Sequence, residues 1–334
     1  MHIEIVSTTI PRLSSMGNKT RLGILNELKP LYSDVRISMV NSLADLEAIA
    51  RRQPDLVFLG MKRLQAVAGI HEDIWLEQFF SKYGIAVTGS RHTAQRLELD
   101  KQRAKARISS AGLQTAQYIV VGKTDIIPIN IGLLNYPLFV KPTSLGGGEG
   151  VDKESYVENI IQLQSKIHSL RILHNSDSMI EEYLDGREFS VAILRHEGKN
   201  DLYAMPIELI APKNKTGHRF LSSTVKSADT EICTKVIDID LQAKLSDFAI
   251  NIFKQLGARD YGRIDIRLDS RGTPHFLEAN LIPSLLKDYG NFPKACKFYL
   301  DYSYTDTILH ILRLSIERHT PTETALPFIE LVHA

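Results

Sequence analysis

Cysteine is almost absent: Cys233 and Cys296 are the only two in 334 residues. That is too few for a disulfide framework or a thiolate metal site. No apolar run approaches the ~20 residues of a membrane-spanning helix. Charge of one sign is lacking too. With 40 Lys and Arg against 39 Asp and Glu, the formal net charge is +1. No global field therefore draws the chain to nucleic acid or to an acidic membrane, and neither is expected as a partner. The 11 histidines are scattered without ligand spacing, and none is assigned to metal. The first residues, Met1 to Val6, read as a strand rather than the basic-then-apolar pattern of a secretory leader. A reduced, cytoplasmic setting is the expectation. What remains is the composition of an ordinary soluble protein, long enough for two or three packed units.

Residues 1 to about 95 alternate strand and helix signals, which suggests a small parallel sheet covered by helices. Strands are expected at Ile3–Val6, Val35–Val40, Leu56–Leu59 and Ile85–Val87, with a helix capped by Ser42 and another from Ile74 to Tyr83 that carries Trp75. A basic helix over Thr93–Ser110 follows, then strands at Tyr118–Val121 and Leu138–Lys141, a helix from Tyr156 to Ile167 and a strand at Met179–Tyr183. Further on, Phe189–Leu194 and Leu202–Ile210 read as strands and 214–234 as a polar, mobile segment. Leu241 to Leu256 forms an amphipathic helix ending at Gly257. A last helix lies near Ile308–Ile316, and a tail follows from Thr320.

Two stretches carry chemistry. From Tyr261 to Asn280, Ile264, Ile266 and Leu268 alternate with Arg263, Asp265 and Arg267, and Phe276, Glu278 and Asn280 alternate with Leu277 and Ala279. With Asp269–Gly272 as the turn, Leu268 pairs with Thr273 and the hairpin sets Asp265 on one face with Glu278 and Asn280. Two carboxylates and an amide suit Mg²⁺, which takes hard oxygen ligands and leaves its other positions to water and phosphate. The plain alternative is a solvated charged face. The second stretch is a loop with glycines at 146, 147, 148 and 150, just after Lys141. It lacks the Gly-Lys-Ser/Thr ending of a Walker loop and the third glycine of a dinucleotide fingerprint. Lys141 and the upstream Lys101 make phosphate binding a better reading than a bare flexible turn.

Taken in order, Thr88-Gly89-Ser90, Asp100-Lys101 with Lys105, Tyr136-Pro137, Val140-Lys141-Pro142 with the glycine loop, Ile180 to Phe189, Gly262 to Asp265 and Leu277 to Asn280 resemble the ATP-grasp superfamily. Within it the chain is similar to the D-alanine–D-alanine ligases, over Thr88 to Leu314, roughly two thirds of its length. The resemblance implies a fold that is α/β and α+β: an N-terminal open α/β domain (1–95), a central ATP-grasp subdomain (96–183) and a C-terminal one (184–320) clamping ATP, then a tail (321–334). It implies that Lys101 and Lys141 hold the phosphates under Gly146, Gly147 and Gly148, and that Glu181, Glu182, Tyr183 and Leu184 border the adenine. Glu188 would take the ribose, and Asp265, Glu278 and Asn280 two Mg²⁺ ions, a role Mn²⁺ can share. Arg263 would sit at the reacting centre. Arg219 would replace a phosphate-contacting lysine of the mobile loop. The activity implied is ADP-forming condensation of an amino-acid-like carboxylate with an amine, through an acyl phosphate. A homodimer is compatible with the resemblance.

The acceptor half departs from that pattern. No acid stands in Ser7–Arg12, where the family keeps a glutamate for the first amino acid's ammonium, and Gly60-Met61-Lys62-Arg63 replaces a His-Gly-led segment. Asn280-Leu281-Ile282-Pro283-Ser284-Leu285 likewise differs from the family's Asn-Thr-x-Pro-Gly-Met. Lys62, Arg63 and Arg12 read either as surface charge or as contacts to a carboxylate or phosphate on a different substrate. Ser284, Lys287, Asp288 and Tyr289 are candidates for the acceptor. Three readings follow: a ligase acting on a non-standard pair, a genuine D-alanine–D-alanine ligase, and a non-catalytic ATP-binding module.

Overall fold

The computed structural model describes residues 1–319 except 11, 15, 67–71, 146–147, 214–216 and 229. The tail from Thr320 and the glycines at 146 and 147 therefore lie outside the described residues. The chain opens with β1 (His2–Ser7), α1 (Asn18–Leu28), β2 (Asp34–Met39), α2 (Leu43–Arg51) and β3 (Leu56–Leu59). A two-stranded antiparallel ribbon, β4 (Arg63–Leu64) with β5 (Ile74–Trp75), leads into α3 (Leu76–Ser81) and β6 (Ala86–Val87). β2, β1, β3 and β6 lie side by side as one parallel sheet. Ile3, Ile5, Leu56, Val57, Phe58 and Leu59 are all fully buried, as expected of parallel strands covered on both faces. α2 starts at a capping box in which Ser42 and Asp45 satisfy each other's backbone N–H groups, a device contributing about 1 kcal/mol.

Two expected helices begin later than their apolar pattern suggests. Trp75 is in β5, so the helix after it is short, and Tyr156 belongs to a two-residue strand. The basic helix is two helices, α4 (His92–Leu99) and α5 (Lys101–Ser110), broken at Asp100. Asp100 leaves helical geometry (φ −104°, ψ 91°), and its side chain accepts the Arg103 N–H at 3.0 Å. An aspartate caps a helix better than it sits inside one. The break makes Lys101 the first residue of α5.

The second sheet, in the order β7-β10-β8-β9, comprises β7 (Tyr118–Val121), β8 (Leu138–Pro142), β9 (Tyr156–Val157) and β10 (Ser178–Glu182), backed by α6 (Ile160–His174). The third is five antiparallel strands: β11 (Glu188–Arg195), β12 (Leu202–Ile210), β13 (Ile232–Lys235), β14 (Tyr261–Leu268) and β15 (Pro274–Asn280), in the order β13-β12-β11-β14-β15. Between β12 and β13 lies α7 (Ser223–Ala228), so the polar segment holds more regular structure than its composition suggests. α8 (Ile239–Gln255) buries Leu245, Phe248, Ala249, Ile252 and Phe253, the stripe read from the sequence. α9 (Asn291–Leu300) and α10 (Tyr304–His319) close the fold. Ile308, Ile311 and Leu312 of α10 share one core with Ile3 and Phe58 of the first sheet and Ala192 and Leu194 of the third. The last helix thus ties the N-terminal sheet to the C-terminal one. Among the described residues, no helix is long and apolar enough to cross a membrane.

The β14–β15 hairpin differs from its expected register in an informative way. Leu268 pairs with Pro274 rather than Thr273, and the register shifts between Asp265 and Ile266. Ile266 faces Phe276, whereas Asp265 faces Glu278 and Arg263 faces Asn280. Leu277 is the extra residue of this β-bulge, so the face reverses across it. Phe276 therefore enters the apolar core with Ile264 and Ile266, while Glu278 and Asn280 keep the polar face with Asp265.

Candidate active site

A cavity of about 990 Å³ lies between the second and third sheets and reaches the loops of the first. Each sheet supplies its share through strand periodicity. On β10 and β8, Met179 pairs with Lys141, which places Glu181, two residues on, beside Lys141 on one face. Glu181 is buried between two ammonium groups, Lys105 Nζ at 2.6 Å and Lys141 Nζ at 2.7 Å. Burial alone would raise the Glu181 pKa, but the two lysines outweigh it and hold the carboxyl below its usual range. Burial pulls the Lys105 pKa down as well, to about 8, against the opposing pull of Glu181. Lys105 also donates to Thr115 Oγ1 at 2.5 Å and the Phe276 carbonyl at 3.2 Å, which pins α5 to β15.

Lys101 projects from the start of α5 into the cavity, donating to the Leu145 carbonyl at 2.6 Å and standing 3.8 Å from Glu278. Burial lowers its pKa as well, with Glu278 acting in the opposite direction. Leu145 leads into the glycine loop, so this contact ties helix and loop. Gly148 and Gly150 both have positive φ, and a Cβ at Gly150 would lie 2.6 Å from Pro142 Cγ. The loop can fold this closely only with glycine there.

On the opposite wall, Arg263 grips Asp265 with Nε and Nη2, each 2.9 Å from a carboxylate oxygen. Burial opposes the Arg263 charge, yet Asp265 outweighs it and raises the pKa. Ser190 Oγ donates to Asp265 at 2.7 Å, and Asn280 Nδ2 lies 3.3 Å from its other oxygen. Asp265, Glu278 and Asn280 therefore converge, with Arg263 and Lys101 as the cations against them. The donor set is two carboxylates and an amide, the hard-oxygen chemistry that fits Mg²⁺. No group of three His, Cys, Asp or Glu suited to a metal occurs among the described residues, so any ion would rely on this smaller set plus phosphate and water.

At the far end, Glu182, Tyr183, Leu184 and Glu188 line the cavity. The Glu182 carboxylate accepts from the Asn135 backbone and side chain at 2.9 and 2.8 Å. Sequence reading passed over Arg267, which is 6% exposed. It donates to Glu188 at 3.1 Å, to the Tyr183 hydroxyl at 2.8 Å and to the Arg219 carbonyl at 2.6 Å, and lies 4.8 Å over the Tyr183 ring. Its place two residues beyond Asp265, on the same face of β14, was the available signal. Nearby, His218 stacks on Tyr156 with centroids 4.2 Å apart and Phe220 meets Phe139 at 5.5 Å. The segment after β12 thereby reaches across to the second sheet.

Two of the sequence candidates are placed elsewhere. The Arg219 guanidinium donates to the Ala211 carbonyl and is not on the cavity wall; its contribution there is the backbone carbonyl. Lys287 turns outward to Glu27 at 3.2 Å and the Tyr304 ring, while Ser284 and Tyr289 do line the cavity. Lys62, Arg63 and Arg12 line it too, each in an ion pair: Lys62 with Glu98 at 2.5 Å, Arg63 with Asp73, Arg12 with Glu149.

The family described as D-ala D-ala ligase C-terminus matches residues 108–312, more than half of the chain. The chain is 28% identical over 296 residues to a D-alanine–D-alanine ligase of Hydrogenovibrio crunogenus, with 88% of each covered. It is 28% identical over 280 residues to one of Glaesserella parasuis, covering 81% of this chain and 87% of the relative. Among solved structures, the D-alanine–D-alanine ligase of Bacillus anthracis complexed with ATP superposes with a TM-score of 0.75 at 21% identity, covering 96% of this chain and 98% of that one. The VanG D-Ala:D-Ser ligase of Enterococcus faecalis gives 0.67 at 18% identity, covering 94% and 99%. Two antiparallel sheets facing each other across a lysine-, arginine- and carboxylate-lined cleft, behind a parallel α/β unit, define the ATP-grasp class of ATP-dependent, ADP-forming ligases. Within that class the chain belongs to the D-alanine–D-alanine ligase C-terminal family.

Proposed function

We propose that the protein condenses a carboxylate with an amine at the expense of ATP, and that its substrates are a pair other than two D-alanines. The observation carrying this reading is the convergence of Lys101, Arg263, Asp265, Glu278 and Asn280 on one cavity. A binding module without turnover would not need two opposed carboxylates placed against an arginine.

In this reading the triphosphate lies along the cleft, with the base near Tyr183 and Leu184, the ribose near Glu188, and Lys101 and Lys141 on the phosphates. Asp265, Glu278 and Asn280 would hold Mg²⁺, which supplies charge neutralisation at the phosphate oxygens. An oxygen of the substrate carboxylate attacks the γ-phosphorus as the bond to the β-bridging oxygen breaks, giving an acyl phosphate and ADP. The protein's part is alignment and charge neutralisation, since phosphoryl transfer asks little covalent work of it. The amine nitrogen then attacks the acyl carbon. The C–O bond to phosphate breaks, inorganic phosphate leaves, and the nitrogen gives up its proton. Arg263, a planar donor that stays charged, stabilises the oxyanion formed on the way. Release of such a donor's contribution typically raises the barrier by roughly 3–4 kcal/mol.

ADP release, followed with pools of acids and amines, tests the reading. The expected result is ADP that forms only when acid, amine and Mg²⁺ or Mn²⁺ are all present and that stops on chelation. ATP binding with no ADP from any pair would favour a non-catalytic module. ADP from D-alanine alone at full rate would favour a genuine D-alanine–D-alanine ligase.

A further inference from the structure

The part of the cavity wall supplied by residues 12–65 contains Arg12, Lys62 and Arg63 and, among the described residues, no carboxylate. The sequence makes the same point: from Ile5 to Asn26 there is no acidic residue, and Glu27, the next one, is engaged by Thr305 and Lys287. On the other side of this end, Ser284, Tyr289 and Asn291 line the cavity, again without an acid. An α-ammonium entering here would meet cations, and the lining carboxylate that stands against them, Glu149, is already held by Arg12. Removing such a group from water without a partner is costly.

The cations are held in place rather than free to sweep. Lys62 is tied to Glu98, itself 8% exposed, at 2.5 Å. Arg63 is held through Nη1 by Asp73 and lies 5.7 Å from the centroid of the Trp75 ring. An ammonium carries three N–H donors and a guanidinium five, and each of these two side chains spends one on its internal partner. Fixed by carboxylates outside the cavity wall, both keep donors for a ligand within it. A guanidinium and an ammonium on one cavity wall can take a carboxylate or phosphate between them.

We infer that the acid activated by this enzyme carries a second anionic group, a carboxylate or a phosphate ester, received by Lys62 and Arg63 in place of the ammonium of an α-amino acid. The inference rests on the ligase reading above and deepens it. The second negative group anchors the substrate at the N-terminal sheet while its reacting carboxylate points toward Arg263.

The test is steady-state ADP release with an amine pool and four sets of acids: D-alanine, simple monocarboxylic acids, dicarboxylic acids, and phosphorylated carboxylic acids. The expected result is turnover with one of the last two sets, which also tells the carboxylate source from the phosphate one. Arg63→Gln should then raise KM for that acid by roughly tenfold or more, the loss of a charge-assisted contact, with KM for ATP unchanged. Arg63→Lys, which keeps the charge and loses the planar fork, should fall between the two and serves if the glutamine variant does not fold. Turnover with D-alanine or simple acids at equal or higher kcat/KM would overturn the inference and leave the ligase reading standing. An unchanged KM in both Arg63 variants would overturn it as well. No ADP from any set while ATP still binds would sink the ligase reading itself, and the inference with it.

Discussion

Glu278→Gln is expected to cut turnover by roughly 10²-fold or more while the protein stays folded. Glu278 stands opposite Asp265 in the β14–β15 register and 3.8 Å from Lys101, so its carboxylate faces both the proposed cation position and a phosphate-binding lysine. Glutamine keeps the shape and one oxygen but removes the charge. A cation's neutralising role in phosphoryl transfer is worth several kcal/mol, at about 1.4 kcal/mol per tenfold in rate. Because the residue is on the polar face of the hairpin, outside the Phe276–Ile264–Ile266 core, stability should change little. Two measurements check this: kcat for ADP release, and the Mg²⁺-dependent shift in thermal midpoint with a non-hydrolysable nucleotide, which should shrink. A variant with full turnover and an unchanged Mg²⁺ response would remove Glu278 from the site.

Glu181→Gln should be the most destabilising single change in the cleft, by about 3–5 kcal/mol, because it strands buried charge. In the native protein one carboxylate answers Lys105 and Lys141 at 2.6 and 2.7 Å, and Lys105 is fully buried. An amide cannot replace that charge. The sign with pH follows from Lys105, whose pKa of about 8 lies below the ~10.4 of an unfolded lysine. Between those values the unfolded chain binds more protons, so this group's contribution makes stability rise with pH across that window. Removing Glu181 favours the neutral amine further and should extend the rise to lower pH. Denaturant midpoints across roughly pH 7 to 10 check both statements. A loss below about 1 kcal/mol would mean that the pair is far better solvated than its burial implies.

The chemistry-bearing half of the protein was legible because strand periodicity and glycine spacing are local signals. Asp265, Glu278 and Asn280 were placed on one face from alternation and a Leu268–Thr273 register; the register is Leu268–Pro274, and the bulge restores the face. The same alternation put Phe276 on that face, but a one-residue bulge at Leu277, with no glycine or proline to mark it, sends it into the core. The break at Asp100 was missed for a related reason: apolar and basic periodicity runs through it, and only the capping preference of aspartate argues for a stop. α1 has a weak apolar stripe, and α9 begins amid glycine, asparagine and proline, so neither announces itself. Arg219 and Lys287 could be placed near the site only by position in the chain; Ala211 and Glu27, which hold them, are distant in sequence or separated by a turn. The Lys105–Glu181–Lys141 cluster joins an α-helix to two strands, and no local pattern encodes such a contact.

The central claim is that a carboxylate is activated as its acyl phosphate in this cleft, and hydroxylamine tests it most directly. With ATP, Mg²⁺, the acid substrate and hydroxylamine in place of the amine, the account predicts an acyl hydroxamate formed in step with ADP. ADP and phosphate released together with no hydroxamate, under conditions where the acid still stimulates turnover, would contradict it.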